Sequence, residues 1–226
     1  MSSTTTPAVL TDLPLFPLGS VLFPGGLLPL RVFEVRYLDM IGKAHRAGTP
    51  FGVVCLTHGA EVRVAGAQAE QFASVGTLAR IETFASPQPG LQQIECIGTE
   101  RFRVQRSALQ KNGLWTATVE VLPDDLSVAV PDDLAHTAIA LRRVVQTLQE
   151  RLQAERASQT QEVEGTAGMR LPLAEPWHFD DCGWVANRWC EFLPVQSELK
   201  QRLMELDSPL MRLELVSDVL ARTGIA

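Results

Sequence analysis

The 226-residue sequence has few of the features that indicate a metal site, nucleic-acid binding, a membrane span or catalysis. It has 4 cysteines, which form no C-x-x-C pair and stand at no standard zinc spacing from histidines. We therefore expect reduced thiols and no metal site. Basic residues are also few, since the first 130 residues carry 10 basic and 11 acidic side chains and the whole chain has a net charge of -6. Nucleic-acid binding, which needs clustered positive charge, is disfavoured.

Long uninterrupted hydrophobic runs are missing as well. Residues 13–30 are mostly apolar, but prolines at positions 14, 17, 24 and 29 interrupt every stretch that could form a hydrophobic helix. The first basic residue is Arg31, so the positively charged start of a signal peptide is missing. We expect neither a membrane span nor a signal peptide, and a cytoplasmic protein.

The motifs of ATP hydrolysis and of serine catalysis are missing or incomplete. The only Gly-Lys pair, Gly42-Lys43, has Tyr37 where the first glycine of a phosphate-binding loop should stand. Ser197 and Lys200 match S-x-x-K, but the companion S-D-N and K-T-G motifs are missing, and both side chains lie on the polar face of an amphipathic pattern. We expect no catalytic residue, no enzymatic activity, no cofactor and no ATP binding.

With 46% hydrophobic residues, the chain can build a sizeable core. Apolar and polar residues alternate over residues 115–121 and 102–104, as in half-buried antiparallel strands. Further strand-like segments cover residues 51–56, 75–84 and 91–97, and breakers at 87–90 and 111–113 predict turns. Helical spacing predicts one short helix over residues 35–47, ended by Gly48. Residues 12–122 are therefore predicted to form a β-barrel or a curled antiparallel sheet.

After residue 122 the hydrophobic period changes from two to about 3.6. Apolar residues at helical spacing predict a long amphipathic helix with this stripe: Leu134, Ala138, Leu141, Val145, Leu148 and Leu152. More helices are predicted over 181–193, over 195–206 and after Ser208, an N-cap candidate followed by Pro209. The polar segment 157–176 is predicted to be a mobile loop. The sequence thus predicts an α+β fold, with a β-rich lobe of residues 12–122 and a helical bundle lobe of residues 123–226.

Four residues around the predicted start of the short helix are candidates for peptide binding: Arg31, Glu34, Arg36 and Tyr37. Arginine and tyrosine side chains suit peptide recognition. The alternative is structural, with Glu34 paired to an arginine so that the strand is locked to the following helix.

Aromatic residues concentrate farther along the chain, at Trp177, Trp184 and Trp189. Helical spacing favours a role in the core, but a ring that stays exposed would mark a contact surface, and Trp177 is the candidate. His178 and Cys182, with a cysteine at position 190, could in principle meet a metal. Structural cysteines and a loop histidine are the favoured interpretation.

Several motifs, in this order along the chain, resemble the N-terminal domain of the Lon ATP-dependent protease family. The opening motifs are LPLFPL at 13–18, VLFPG at 21–25 and PLRVFEVRY at 29–37. Later ones are FGVV at 51–54, VGTLARI at 75–81 and GTERFRV at 98–104, and the pairs Lys200-Gln201 and Arg212-Leu213 are similar at the helical end. The resemblance covers residues 12–220.

The resemblance implies a PUA-like β-rich lobe followed by a helical lobe, in a domain that recognises and holds protein substrates in Lon. We therefore expect a stand-alone, non-catalytic module that captures exposed apolar or extended segments of other proteins, in a groove between the lobes or along a sheet edge. Two alternatives stay open. One is a component or relic of an ATP-dependent serine protease system whose peptidase lies in a separate chain, and the other is an RNA-binding PUA-like protein. Neither the partner nor the oligomeric state can be predicted.

Overall fold

A computed structural model describes residues 7–61, 69–158 and 171–225 of the chain. The strands are β1 Val9–Leu18, β2 Leu27–Val32, β3 Phe51–His58, β4 Gln71–Gln88, β5 Leu91–Leu109 and β6 Trp115–Val121. The helices are α1 Val35–Ala47, α2 Ala135–Ser158, α3 Cys182–Phe192, α4 Ser197–Glu205 and α5 Pro209–Thr223. The predicted α+β class is confirmed. Most of the loop predicted over residues 157–176 lies outside the described residues.

The chain divides into two compact units, one up to Asp124 together with Leu193–Glu205, the other comprising Asp125–Phe192 and Leu206–Ala226. The division at Asp124 lies close to the predicted lobe boundary after residue 122. Helix α4, which the sequence pattern groups with the helical lobe, belongs to the unit that contains the sheet. Its Gln201 is buried and donates a hydrogen bond to the carbonyl of Val75 on β4, 2.9 Å away. This buried hydrogen bond ties α4 to the sheet.

The first unit is built on six strands in the order β2-β5-β4-β3-β1-β6, and a further pairing of β5 with β6 closes five of them into a barrel. The long strand β5 makes this closure, because its first half pairs with β2 and its second half with β6. The sheet was predicted to be antiparallel, but β1 and β3 pair in parallel, with Leu15 opposite Gly52. Because β2 and α1 intervene between them, the chain crosses over and re-enters the sheet in the same direction.

Helix α1 confirms the prediction from helical spacing over residues 35–47. Its buried face carries Tyr37, Met40, Ile41 and Ala44, at the three- and four-residue spacing of one helix side. Gly48 ends the helix with a φ of 63°, a left-handed conformation that glycine adopts at low cost. Tyr37, Met40 and Ile41 pack into a hydrophobic cluster with strand residues such as Phe16 and Phe51. The helix is therefore held rigidly against the sheet.

The second unit contains α2, α3 and α5. The predicted stripe on α2 is buried at Leu141 and Val145, whereas Leu148 and Leu152 are only half-buried. Ser208 caps α5 as predicted, because its hydroxyl accepts a hydrogen bond from the amide of Met211 at 3.3 Å. The helices α2 and α5 thus agree with the helical spacing of apolar residues and with the capping residue found in the sequence.

Candidate functional site

A pocket lies in the first unit, where β1, β2 and the start of α1 meet. Its volume is about 80 Å³, enough for several water molecules and hence for one apolar side chain. The inner lining is mainly apolar and consists of Phe16, Leu18, Leu30, Val32 and Tyr37. The remaining lining residues are Arg31, Phe33, Glu34 and Glu61. The pocket therefore combines apolar walls with charged groups around them.

Stacked aromatic rings stiffen the inner wall. The rings of Phe16 and Tyr37 are parallel within 10° and their centroids lie 4.0 Å apart. Phe51 packs behind them, with its centroid 6.2 Å from that of Phe16. Because Tyr37 is only 3% exposed, it forms part of the wall and does not project toward solvent. Such a wall needs little ordering when a ligand binds, which keeps the entropy cost low.

Arg36 holds the loop between β2 and α1 in place. Its Nε donates to Oε2 of Glu34 at 3.1 Å, and its Nη2 lies 3.0 Å from the same oxygen. Its Nη1 donates to the carbonyl of Gly113 at 2.8 Å and lies 3.4 Å from Oε1 of Glu70. Glu70 also accepts from the indole of Trp115 at 3.2 Å. The geometry therefore contains the Glu34–arginine pair of the structural interpretation, and the buried Arg36 is not among the residues that line the pocket.

Two large apolar side chains next to the pocket are exposed to solvent. Phe33 is 57% exposed and Val35 is 81% exposed, on either side of Glu34. Arg31 is exposed as well. Exposed apolar side chains beside a pocket are typical of contact surfaces rather than of a closed core. Of the predicted site residues, Arg31, Glu34 and Tyr37 are thus brought together at one pocket.

Trp177 lies in the second unit, in an aromatic group of its own. Its ring meets that of Phe179 edge to face, with centroids 6.0 Å apart, and Phe179 meets Trp184 in the same way at 4.9 Å. The guanidinium of Arg142 covers Phe179 at 4.1 Å from the centroid. Trp189, in contrast, is a core residue, 2% exposed, whose indole donates to the carbonyl of Thr137 at 3.0 Å. Trp177 itself is half-buried.

The candidate nucleophiles are engaged or buried. The hydroxyl of Ser197 donates to the carbonyl of Gly19 at 2.6 Å. All four cysteines are buried, and burial raises the pKa of the Cys96 thiol to about 12. Such a thiol stays protonated at neutral pH and is a poor nucleophile.

Within residues 7–61, 69–158 and 171–225, no three His, Cys, Asp or Glu side chains are placed so that they could hold a metal ion. No helix in the same ranges combines the length and the hydropathy needed to cross a membrane.

Several pocket residues could not be found from the local charged motif. Phe16 and Leu18 come from β1, and the only signal for them is the apolar run LPLFPL around prolines. Glu61 comes from the loop after β3, where its carboxylate accepts a hydrogen bond from the amide of Gly19 at 2.7 Å. No local sequence pattern indicates that contact, because the two residues are 42 positions apart.

A family model, Lon protease relatives and a solved structure indicate one family. The family model for the ATP-dependent protease La (LON) substrate-binding domain matches residues 12–222. The Lon protease of Anaeromyxobacter dehalogenans (strain 2CP-C) is 29% identical over 216 residues, which are 96% of this chain and 23% of that protein. The cereblon of Danio rerio is 31% identical over 127 residues, 54% of this chain and 27% of that protein. The chain thus spans 23% to 27% of the length of these relatives.

A solved structure extends the similarity to three dimensions. The crystal structure of a Lon N-terminal domain protein from Xanthomonas campestris superimposes with a TM-score of 0.67 at 31% identity. The superposition covers 92% of this chain and 98% of that one. The resemblance noted in the sequence motifs is therefore confirmed over nearly the whole chain. By its family match, its sequence relatives and its fold, the chain belongs to the Lon substrate-binding domain family.

Proposed function

We propose that this chain is a non-catalytic module that captures exposed apolar segments of other proteins at the pocket between β1, β2 and α1. The observation that carries the proposal is the apolar pocket beside the exposed ring of Phe33. Family membership supports the same role, because the family model that matches is that of a substrate-binding domain. In this proposal Arg31, Glu34 and Phe33 contact the bound segment, and Tyr37 forms the wall.

Arg36 acts in this proposal as a positioning residue, since its guanidinium is buried against Glu34 and Glu70. Trp177 remains a candidate contact in the second unit. We also propose a β-rich lobe of residues 12–122 and a helical lobe of residues 123–226, except that α4 groups with the sheet.

The energetics favour weak, reversible capture. Burying one Leu, Ile or Phe side chain contributes about 1.5–3 kcal/mol. A millimolar dissociation constant corresponds to about 4 kcal/mol, so one filled pocket cannot account for binding by itself. Further contacts, made by the backbone of the captured segment or by charges around the pocket, have to supply the remainder.

Catalysis has no place in this proposal. Ser197 donates its hydroxyl to a backbone carbonyl, and burial raises the pKa of Cys55, Cys96 and Cys182 and so disfavours their thiolates. The sequence has no phosphate-binding loop, and its net charge of -6 disfavours RNA. We propose a cytoplasmic module that acts on protein segments without ATP, nucleic acid or a membrane of its own.

The proposal is tested by fluorescence anisotropy with two forms of labelled lactalbumin. One form is unfolded by reduction and carboxymethylation, and the other is native. We expect the unfolded form to bind and the native form not to bind. Phe33→Ser should weaken binding about tenfold, because a half-exposed ring at the pocket is lost. Leu126→Ser, at a side chain that is 79% exposed in the second unit, is the matched control and should leave binding within about twofold. Equal loss in both variants, or equal binding of both lactalbumin forms, would contradict the proposed site.

A further inference from the structure

Strand β2 has a neighbour on one side only among the described strands. It pairs antiparallel with β5, from Leu27 opposite Ile97 to Val32 opposite Gln92, and it stands at the end of the strand order. In an antiparallel strand, the amide and carbonyl groups point alternately to the two sides. The second side of β2 therefore presents main-chain donors and acceptors that another extended chain can use.

Pro29 limits how long such a pairing can be. Proline is accepted in sheets on edge strands, where its missing N–H faces no neighbouring strand. Pro29 is the third residue of β2, and its nitrogen is on the free side of the strand. The amide of Arg31, two residues farther on, points to the same free side, whereas the amides of Leu30 and Val32 point toward β5. Natural edge strands use proline in this way to prevent uncontrolled sheet extension. A partner can thus pair with the end of β2 over a short stretch only.

The pocket lies beside this same end of the strand. Leu30, Arg31 and Val32 all line it, and the exposed ring of Phe33 follows directly. Side chains of an extended chain alternate between its two faces, so every second residue of a paired segment points to the same side. A segment bound along Leu30–Val32 would direct one side chain at a pocket with room for one side chain.

Negatively charged groups outnumber positively charged groups around the pocket. Two carboxylates, from Glu34 and Glu61, line the pocket together with one guanidinium, from Arg31. The buried pair of Arg36 and Glu70, which does not line the pocket, carries one charge of each sign. All three guanidinium nitrogens of Arg36 face the carboxylates of Glu34 and Glu70. Lysine or arginine in a bound segment meets a favourable field here, whereas aspartate or glutamate meets repulsion.

We propose that the occupant is an extended segment of an unfolded polypeptide, which adds as a short strand to the end of β2 and places one apolar side chain in the pocket. Lysine or arginine flanks that side chain in preferred segments. This inference rests on the proposed function and adds to it the mode of recognition and the class of segment. Backbone pairing explains how a module can accept many sequences, because hydrogen bonds to the main chain do not depend on side-chain identity.

Four labelled peptides of one length, titrated against the full chain, test the mode of binding. The parent has a central leucine flanked by lysines. The other three carry a serine in place of the leucine, glutamates in place of the lysines, or backbone N-methyl groups beside the leucine. We expect the serine peptide and the N-methylated peptide to bind about five- to tenfold more weakly, because they lose the pocket contact and the backbone hydrogen bonds. The glutamate peptide should bind about threefold more weakly at low salt, with a smaller difference at high salt.

A charge reversal in the chain provides a second arm. Arg31→Glu adds a carboxylate beside the pocket and should increase the preference for the lysine peptide over the glutamate peptide by about threefold. The matched control is Arg103→Glu, at an exposed arginine on β5 that does not line the pocket. It should leave that preference unchanged within about twofold. An equal change in both variants would overturn the charge preference.

The possible results distinguish a failure of this inference from a failure of the proposed function. If neither unfolded lactalbumin nor any peptide binds, both are overturned. If the leucine peptide binds and its N-methylated form binds equally well, strand addition is overturned while capture of apolar segments stands. If instead the chain dimerises through this edge, and Phe33→Ser abolishes the dimer while peptides do not bind, the occupant is a second copy and the inference is wrong.

Discussion

Replacing Arg36 by methionine tests whether the ion pairs at the start of α1 hold the pocket in shape. Methionine keeps much of the volume and the apolar stem but removes the guanidinium that contacts Glu34, Glu70 and the carbonyl of Gly113. The side chains of Arg36 and Glu70 are 6% and 5% exposed, so the carboxylate of Glu70 cannot gain much hydration in exchange. We therefore expect Arg36→Met to destabilise the folded chain strongly.

The magnitude follows from burial. Removing one partner of a buried ion pair costs about 3–5 kcal/mol, because the other charge stays behind in a poorly solvated place. Glu34 is 22% exposed and can regain some hydration, and Glu70 keeps the hydrogen bond from Trp115. We therefore expect a loss near the lower limit, about 3 kcal/mol in the free energy of unfolding.

Urea unfolding followed by far-UV circular dichroism measures this loss. Lys43→Met is the matched control on the same helix, since Lys43 pairs with Asp39 at 2.7 Å but the two side chains are 69% and 55% exposed. Exposed pairs at this spacing contribute about 0.3–0.5 kcal/mol. If Arg36→Met and Lys43→Met lowered the stability equally, the buried network would not fix the loop, and our account of the pocket would be refuted.

Three further predictions concern the fold and its thiols. Gly76→Ala should cost about 1–3 kcal/mol in thermal melts, because the added methyl group would be too close to the carbonyl oxygen of Val53 and would lie 2.6 Å from the ring of Phe102. In Gly42→Ala, the control in α1, the methyl group meets only side-chain ends, of Arg46 at 3.3 Å and of Gln92 at 3.7 Å, and the change should be neutral or stabilising. Leu141→Asp, at a fully buried position of α2, should destabilise by about 4 kcal/mol or more in urea unfolding, while Arg143→Asp, on the exposed side of the same helix, should stay within about 0.5 kcal/mol of wild type. Burial raises the pKa of the Cys96 thiol from 9.0 to about 12, so between pH 9 and pH 12 the unfolded chain releases a proton that the folded chain retains. The free energy of unfolding should therefore fall as the pH rises through this range. In Cys96→Ala this fall, measured from the variant's own value at neutral pH, should be smaller.

Local patterns allowed much of the fold to be predicted. The period-two alternation of Trp115–Val121 gave β6 with the observed bounds, and the spacing that ends at Gly48 gave α1. Ser208 and Pro209 marked the start of α5. In each case the signal lies within one element, because the alternation, the apolar face or the cap acts on residues that are neighbours in sequence.

Features that depend on distant segments could not be predicted in the same way. The segments 91–97 and 102–104 were predicted as separate strands, but both belong to the single strand β5. Gly98 between them is needed for close contact and not for a turn, since a Cβ atom there would lie 2.3 Å from the carbonyl oxygen of Phe23. The parallel pairing of β1 with β3 likewise depends on a crossover through β2 and α1 that no short pattern encodes.

The candidate site likewise contains some residues that local sequence indicates and others that only the tertiary fold brings together. The group Arg31–Tyr37 is contiguous in sequence, and its charge density made it a candidate. The sequence could not show which member is buried in an ion pair, as Arg36 is, and which form the pocket. Phe16 and Glu61 join the site through the packing of β1 and of the loop after β3, and that packing is determined by the tertiary fold.

The most direct test of the central claim is a titration of the isotopically labelled chain with the lysine-flanked leucine peptide, monitored through amide chemical shifts. Our account predicts that the largest shift changes fall on residues 27–37 and on Phe16 and Leu18, and that the amide of Arg31, which faces the free side of β2, gains protection from hydrogen exchange. Changes confined to the second unit, for example around Trp177, with β2 unaffected at a saturating peptide concentration, would contradict it.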